Sequence, residues 1–274
     1  MKMNDAAIRI AAVQMISGPE VAANLDAAAA LIAAAAADGA RLVALPEYFP
    51  LIGASDAARL EARERDGEGP IQDFLAATAA RHGIWLVGGS IPLHADDPGK
   101  IRNACLVFDA AGRRVCRYDK IHLFGFRKGK EGYDEAKTIE PGRAPVCFDS
   151  PFGRVGLAIC YDLRFPELFR GFGDVDLIVV PAAFTDTTGR AHWELLLRSR
   201  AVENQCYVLA AAQGGQHPGG RLTYGNSMIV DPWGEVLARL DKGPGVVGAS
   251  LDAARIADVR TSLPALRHRV LRVC

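Results

Sequence analysis

Three side chains suited to acid–base and nucleophilic chemistry stand at the ends of apolar runs. Glu47 closes "RLVALPE", Lys120 closes "RRVCRYDK" and Cys160 closes "RVGLAIC". A free thiol has a pKa of about 8.5, so little of it is thiolate at neutral pH. A glutamate beside it can act as base while sulfur attacks a carbonyl or nitrile carbon. The same acid can then protonate a departing amine and activate water against the thioester. A lysine ammonium can stabilise the oxyanion, together with the backbone N–H that follows the cysteine, at Tyr161. Taken singly, each residue has an ordinary role as a packed thiol, a turn acid or a solvated lysine. Their coincidence in kind and placement points to chemistry.

The elements that must bring them together alternate between strand-like and helical runs. "IRIAAVQM" precedes an alanine-rich helix and "RLVALPE"; "IWLVGGSIP", "NACLVFDA" and "RRVCRYDK" follow. "RVGLAIC", a short helix begun by Pro166 and Glu167, and "VDLIVVPAAF" form a strand–helix–strand unit. A helix near "AHWELLLRSRAVEN", where His192 and Trp193 start and anchor it, leads into "CYVLAAAQ". "NSMIVDP" and "WGEVLARL" read as a hairpin with a Pro-Trp-Gly turn. Runs rich in Val, Ile, Leu and Ala fit strands covered by helices on both faces, and ligands of such sheets sit beyond the strands' carboxyl ends. Residues 123–142 form the longest expected loop. No linker or repeat divides the chain, so a single α/β domain over residues 1–274 is expected.

Composition excludes several classes of function. Lys plus Arg equals Asp plus Glu at 32 each, which leaves no basic excess for nucleic acid or an anionic membrane. The N-terminal stretch lacks the apolar segment of a secretory signal, and the alanine run between Asp26 and Asp38 is too short to span a bilayer. Six cysteines without a CxxC pair fit a reduced, cytoplasmic setting. No HExxH, P-loop or GxSxG occurs, so neither a metal nor a nucleotide cofactor is expected.

"LPEYF", "DKIHLF" and "GLAICYDLRFPEL" together resemble the three signature segments of the nitrilase, or carbon–nitrogen hydrolase, superfamily. The resemblance runs from the first strand nearly to the C-terminus. It implies a four-layer α-β-β-α sandwich, frequent homodimerisation, and a triad of Glu47 (base and acid), Lys120 (oxyanion stabiliser) and Cys160 (nucleophile). It also implies a second glutamate that helps place substrate, best matched by Glu135, with Glu131 and Glu140 as near alternatives.

The second half, with "PAAFTDTTGRAHWELLLRSRAVENQCYVLAAAQGGQH" and "YGNSMIVDPWGEVLA", resembles the deaminated glutathione amidase branch. That resemblance implies hydrolysis of N-(4-oxoglutaryl)-cysteinylglycine to 2-oxoglutarate and cysteinylglycine. The alternatives are an omega-amidase acting on 2-oxoglutaramate, an enzyme for another small amide or N-carbamoyl compound, and a catalytically idle binding member. Asn226 and Gly125 depart from the branch pattern, which often has histidine and an acid at these places; both departures are expected near the pocket. A carboxylate-bearing substrate needs cations, and one or two of Arg127, Lys128, Lys130, Arg190 and Arg221 are expected to bind it. Arg164 either joins them or pairs with Asp162, and Phe184 and Thr185 are either pocket walls or packing.

Overall fold

Alternation along the strands decides how the layers form. In the computed structural model, which describes residues 7–53, 57–129 and 131–271, the chain opens with β1 (Ile8–Gln14), α1 (Val21–Ala37), β2 (Leu42–Ala44), α2 (Ala57–Glu61) and α3 (Pro70–His82). It continues through β3 (Trp85–Val87), β4 (Ile91–His94), β5 (Ile101–Phe108), β6 (Arg114–Asp119), β7 (Gly125–Lys128) and β8 (Glu131–Asp134). Next come β9 (Val146–Ser150), β10 (Gly153–Leu157), α4 (Pro166–Gly171), β11 (Leu177–Ala182) and α5 (Asp186–Asn204). The last elements are β12 (Tyr207–Ala212), β13 (Ser227–Val230), β14 (Val236–Leu240), β15 (Gly245–Leu251) and α6 (Ala253–Ser262).

One sheet runs β15-β1-β2-β3-β5-β4, with β6 also on β5; the other runs β14-β13-β12-β11-β10-β9. Ile10, Ala12, Leu42, Ala44, Cys105 and Val107 join the core shared with the second sheet. Their neighbours Ala11, Val13, Val43, Ala104 and Leu106 pack instead with Ala28 and Ile32 of α1 and Leu75 of α3. This period of two gives each strand one face toward the opposite sheet and one toward helices. The sheets touch directly where Trp85 of β3 stacks on Phe148 of β9 at 5.9 Å. On the far side, Trp193, Leu197 and Ala201 of α5 join the same core. The layers are therefore α-β-β-α.

Helix ends follow their local chemistry. Pro70 stands at the start of α3, which closes on Gly83 in the left-handed conformation. The Thr185 side chain accepts from Thr188 N at the start of α5. That cap puts the helix start at Asp186, six residues before the expected His192–Trp193 position; Trp193 lies fully buried within α5. The hairpin of β13 and β14 forms as expected, its turn held by Asp231 Oδ1, which accepts from Trp233 N and Glu235 N. The expected loop over residues 123–142 is instead largely the two-stranded hairpin of β7 and β8, with Phe126 opposite Tyr133, followed by a 3-10 turn at Glu135–Lys137. Alternating Phe126 and Tyr133 among polar residues supplied that pairing pattern. Lys130 and Cys274 lie outside the described residues.

β1, β2 and β3 are parallel in one sheet, and β10, β11 and β12 are parallel in the other. Their carboxyl ends meet where Met15 bridges to Gln213, with Gly214 N donating to Met15 O at 2.8 Å. Glu47, Cys160 and residues 183–185 all follow strands that end on this side. Beside them, Gly89 has φ +58°, and a Cβ there would sit 2.2 Å from the Pro46 oxygen. Gly89→Ala is expected to lower unfolding stability by about 1–3 kcal/mol through this overpacking. Denaturant titration checks it; an unaltered midpoint would contradict the close approach.

Candidate active site

The corner at Cys160 is strained and then fastened. Cys160 has φ +51°, a left-handed conformation that costs a non-glycine residue about 1–2 kcal/mol. Asp162, fully buried, holds the turn: its Oδ2 accepts from Ile159 N at 2.8 Å and from the Tyr118 hydroxyl at 2.7 Å. Its Oδ1 accepts from His122 N at 3.0 Å and lies 2.7 Å from His122 Nδ1. The far side of the turn is tied to α5, because the Arg200 guanidinium donates to Leu163 O at 2.8 and 3.1 Å. Asp162 therefore does not pair with Arg164, which donates to His192 Nδ1 at 3.2 Å and lies over the rings of Tyr161 and Phe184.

Around the sulfur, the structure gathers Glu47, Lys120 and Glu135. Glu47 is fully buried; its Oε1 accepts from Lys120 Nζ at 2.8 Å and Asn103 Nδ2 at 2.9 Å, and its Oε2 from Ala183 N at 3.0 Å. Lys120 Nζ also donates to Glu135 Oε2 at 2.7 Å. Glu135 Oε2 accepts from Phe124 N at 2.7 Å, and its Oε1 from the Tyr48 hydroxyl at 2.8 Å. Tyr48 takes a left-handed φ of +55°, its N–H donating to Ser90 Oγ at 3.0 Å.

The electrostatics follow from burial and from this pairing. Burial and the Glu47 carboxylate push the Cys160 thiol well above its ordinary value, with Lys120 opposing. The resting group is a thiol beside Glu47. Burial disfavours the Lys120 ammonium, but Glu135 and Glu47 outweigh that and raise its pKa well above the usual lysine range. Burial pushes the Glu135 carboxyl up, yet Lys120 and the donors from Phe124 and Tyr48 leave it below its usual value. Two carboxylates thus share one buried ammonium, and a neutral thiol faces a base.

A narrow cleft opens onto Cys160, lined by Phe124, Glu135, Tyr161, Arg164, Phe184, Thr185 and Arg221. Of the four described cations expected at the substrate, only Arg221 reaches this cleft. Arg190 pairs with Asp186, and Arg127 and Lys128 lie on the exposed hairpin. Of the alternatives to Glu135, Glu131 accepts from Thr187 Oγ1 at 2.8 Å and Glu140 pairs with Arg102; neither meets Lys120. Asn226 and Gly125 do not line the cleft. Asn226 has φ +60° and accepts from Arg239 and Trp193, while Gly125 begins the exposed β7. Among the described residues, no group of three or more His, Cys, Asp or Glu is disposed to hold a metal ion. None of their helices is long and apolar enough to cross a membrane.

The sequence profile of the carbon-nitrogen hydrolase family matches residues 9–261. The chain belongs to the carbon-nitrogen hydrolase family. Over 266 residues this hydrolase is 40% identical to a deaminated glutathione amidase of Synechocystis sp. (strain PCC 6803 / GT-S), covering 95% of this chain and 97% of that one. It is 39% identical over 264 residues to the omega-amidase NIT2 of Homo sapiens, covering 95% and 94%. Among solved structures, Nit3 of Saccharomyces cerevisiae, a member of branch 10 of the nitrilase superfamily, superposes with a TM-score of 0.87 at 32% identity, over 99% of both chains.

Several residues of the hydrolase site escaped sequence reasoning. Asn103 sits in β5, where all eight residues are buried, and a lone amide inside such an apolar strand was the available signal. Tyr48 directly follows Glu47, and Asp162 lies two residues beyond Cys160, yet no local pattern marks either as a buried hydrogen-bonding hub. Arg59 and Tyr133 come near the site only through the fold.

Two predictions test this geometry. Alkylation of Cys160 by iodoacetamide, followed by peptide mass mapping, is expected to be slow at neutral pH and still accelerating at pH 9, because the raised pKa keeps the sulfur protonated. A plateau near pH 7 would contradict the buried thiol. Asp162→Asn loses an acceptor at the turn while keeping its shape. Turnover is expected to fall by about 10²-fold, as for a misplacement near 1 Å, checked by steady-state kinetics beside circular dichroism.

Proposed function

We propose that this carbon–nitrogen hydrolase, acting as one domain over residues 1–274, is a cofactor-free thiol amidase. Glu47, Lys120 and Cys160 are its catalytic residues, and Glu135 positions the lysine and the substrate. The observation that carries the reading is a buried thiol beside a buried Glu47 whose carboxylate is bonded to the buried Lys120.

As Cys160 Sγ bonds to the amide carbon, Glu47 takes the thiol proton and the carbonyl electrons move to oxygen. The Lys120 ammonium and the Tyr161 N–H stabilise that oxyanion; losing one such donor typically costs about 2.7–4 kcal/mol of barrier. When the oxyanion collapses, the C–N bond breaks and Glu47 passes its proton to the leaving amine. A thioester remains. Water then attacks it while Glu47 accepts a proton, the C–S bond breaks, and the proton returns to sulfur. Because the thiol is protonated at rest, attack and proton transfer are coupled.

The favoured substrate is N-(4-oxoglutaryl)-cysteinylglycine, split into 2-oxoglutarate and cysteinylglycine. The relative at 40% identity is named for deaminated glutathione, and Arg164 and Arg221 at the cleft suit an anionic substrate. The omega-amidase reading, on 2-oxoglutaramate, draws on the relative at 39% identity. The five cysteines among the described residues are free, which fits a reducing cytoplasm. Exposed Leu195 and Val202 on α5, beside exposed Trp233, suit a homodimer face.

Parallel assays of product release from both amides test the substrate, and faster ammonia release from 2-oxoglutaramate would overturn the choice. Cys160→Ala is expected to abolish turnover with its melting temperature little changed, and wild-type enzyme to gain an acyl mass on Cys160. Full activity in Cys160→Ala would refute the mechanism. An enzyme with neither adduct nor turnover across a panel of amides would be the idle family member.

A further inference from the structure

A second, larger space adjoins the catalytic cleft. This outer chamber has a volume of about 400 Å³ and shares Phe124, Glu135 and Arg221 with the inner cleft. Its remaining walls include Arg59 on one side and Tyr133 on the hairpin of β7 and β8. The two spaces therefore form one path, with the sulfur inside and Arg221 at the junction.

Cations dominate the outer end. The Arg59 guanidinium lies 4.7 Å from the centre of the Tyr48 ring, and that of Arg221 lies 5.9 Å from the same ring and 5.5 Å from Tyr133. Arg221 Nη2 donates to Ala183 O at 3.0 Å, while its Nε is buried with no hydrogen-bond partner among the described residues. A buried donor left unpaired costs about 1–3 kcal/mol, which an anionic acceptor can offset. The acids on the same walls do not pair with Arg221. Glu135 is committed to Lys120, and Asp134 faces Lys137 at 3.8 Å, where both are largely exposed.

An acyl group small enough for the inner cleft has Arg164 there for its own carboxylate. The amine half of the amide must leave by the other direction. We propose that the outer chamber is the leaving-group subsite, and that Arg221 with Arg59 reads a carboxylate at the far end of the departing amine. The inference rests on the amidase reading above and deepens it: the enzyme selects amides of amino acids or short peptides over primary amides through the outer arginines. Tyr48 supports both, since its ring lies under the two guanidinium groups while its hydroxyl holds Glu135.

The test compares 4-oxoglutaryl-cysteinylglycine with its neutral C-terminal amide, each assayed as kcat/KM on the intact enzyme, with 2-oxoglutaramate alongside. Wild type is expected to favour the acid by roughly 10–100-fold, the range for one charge-assisted hydrogen-bonded contact. Arg221→Met is expected to collapse that ratio toward unity. Arg59→Met, which leaves the bond to Ala183 in place, is expected to reduce it as well. A wild-type ratio near unity overturns the subsite. So does a ratio preserved in both variants, which would make the arginines structural. Ammonia release from 2-oxoglutaramate without hydrolysis of either peptide would instead overturn the substrate reading, and the subsite with it.

Discussion

A single ammonium buried between two carboxylates is the constraint on which the site depends. Removing Lys120 from water would be prohibitive for an unpaired charge, and each partner carboxylate would be equally costly alone. Together they are tolerated because every oxygen of Glu47 and Glu135 has at least one donor: Asn103, Ala183, Phe124, Tyr48 and Lys120 itself. The arrangement also sets the pH response. Glu135 is held below its ordinary carboxyl value, so the stability it contributes is present above the unfolded-state pKa and is lost as pH falls through the folded one. Acid thus loosens the Lys120–Glu135 end of the site.

Strain is placed where function needs it. Cys160 and Tyr48 both adopt left-handed backbone conformations, one presenting the sulfur and the other turning the chain directly after the base. Each is fixed by a buried polar side chain from its surroundings, Asp162 in the first case and Ser90 in the second. The strand-to-helix corner noticed in the sequence is therefore a fastened device, with the acid two residues past the cysteine acting as its clasp.

Much of this architecture was legible from residue order. The strands, the alanine helix and the turn at Asp231 follow from periodicity and turn chemistry, and the three reactive side chains stand out because they end apolar runs. The hairpin over 125–134 is hard to see in the sequence because its alternation is short and mostly polar, a weak signal against glycine-rich flanks. The start of α5 is equally hidden because Thr185, an effective cap, sits in a run of polar residues that resembles a connection. Arg59 and Tyr133 were illegible for a different reason. Their relevance depends on which side of the cleft a distant element covers, and no local pattern encodes that.

The base draws its hydrogen bonds from far along the chain. Glu47 meets partners 56, 73 and 136 positions away, and its carbonyl is held by Gln213, 166 positions away. Such separations make loop closure the slow part of folding. The cysteine corner is no more local, since Asp162 draws on Tyr118 and His122 and Leu163 on Arg200. Competence for turnover is consequently a property of the completed molecule, and its onset during refolding serves as a clock for the last long-range joining of the two sheets.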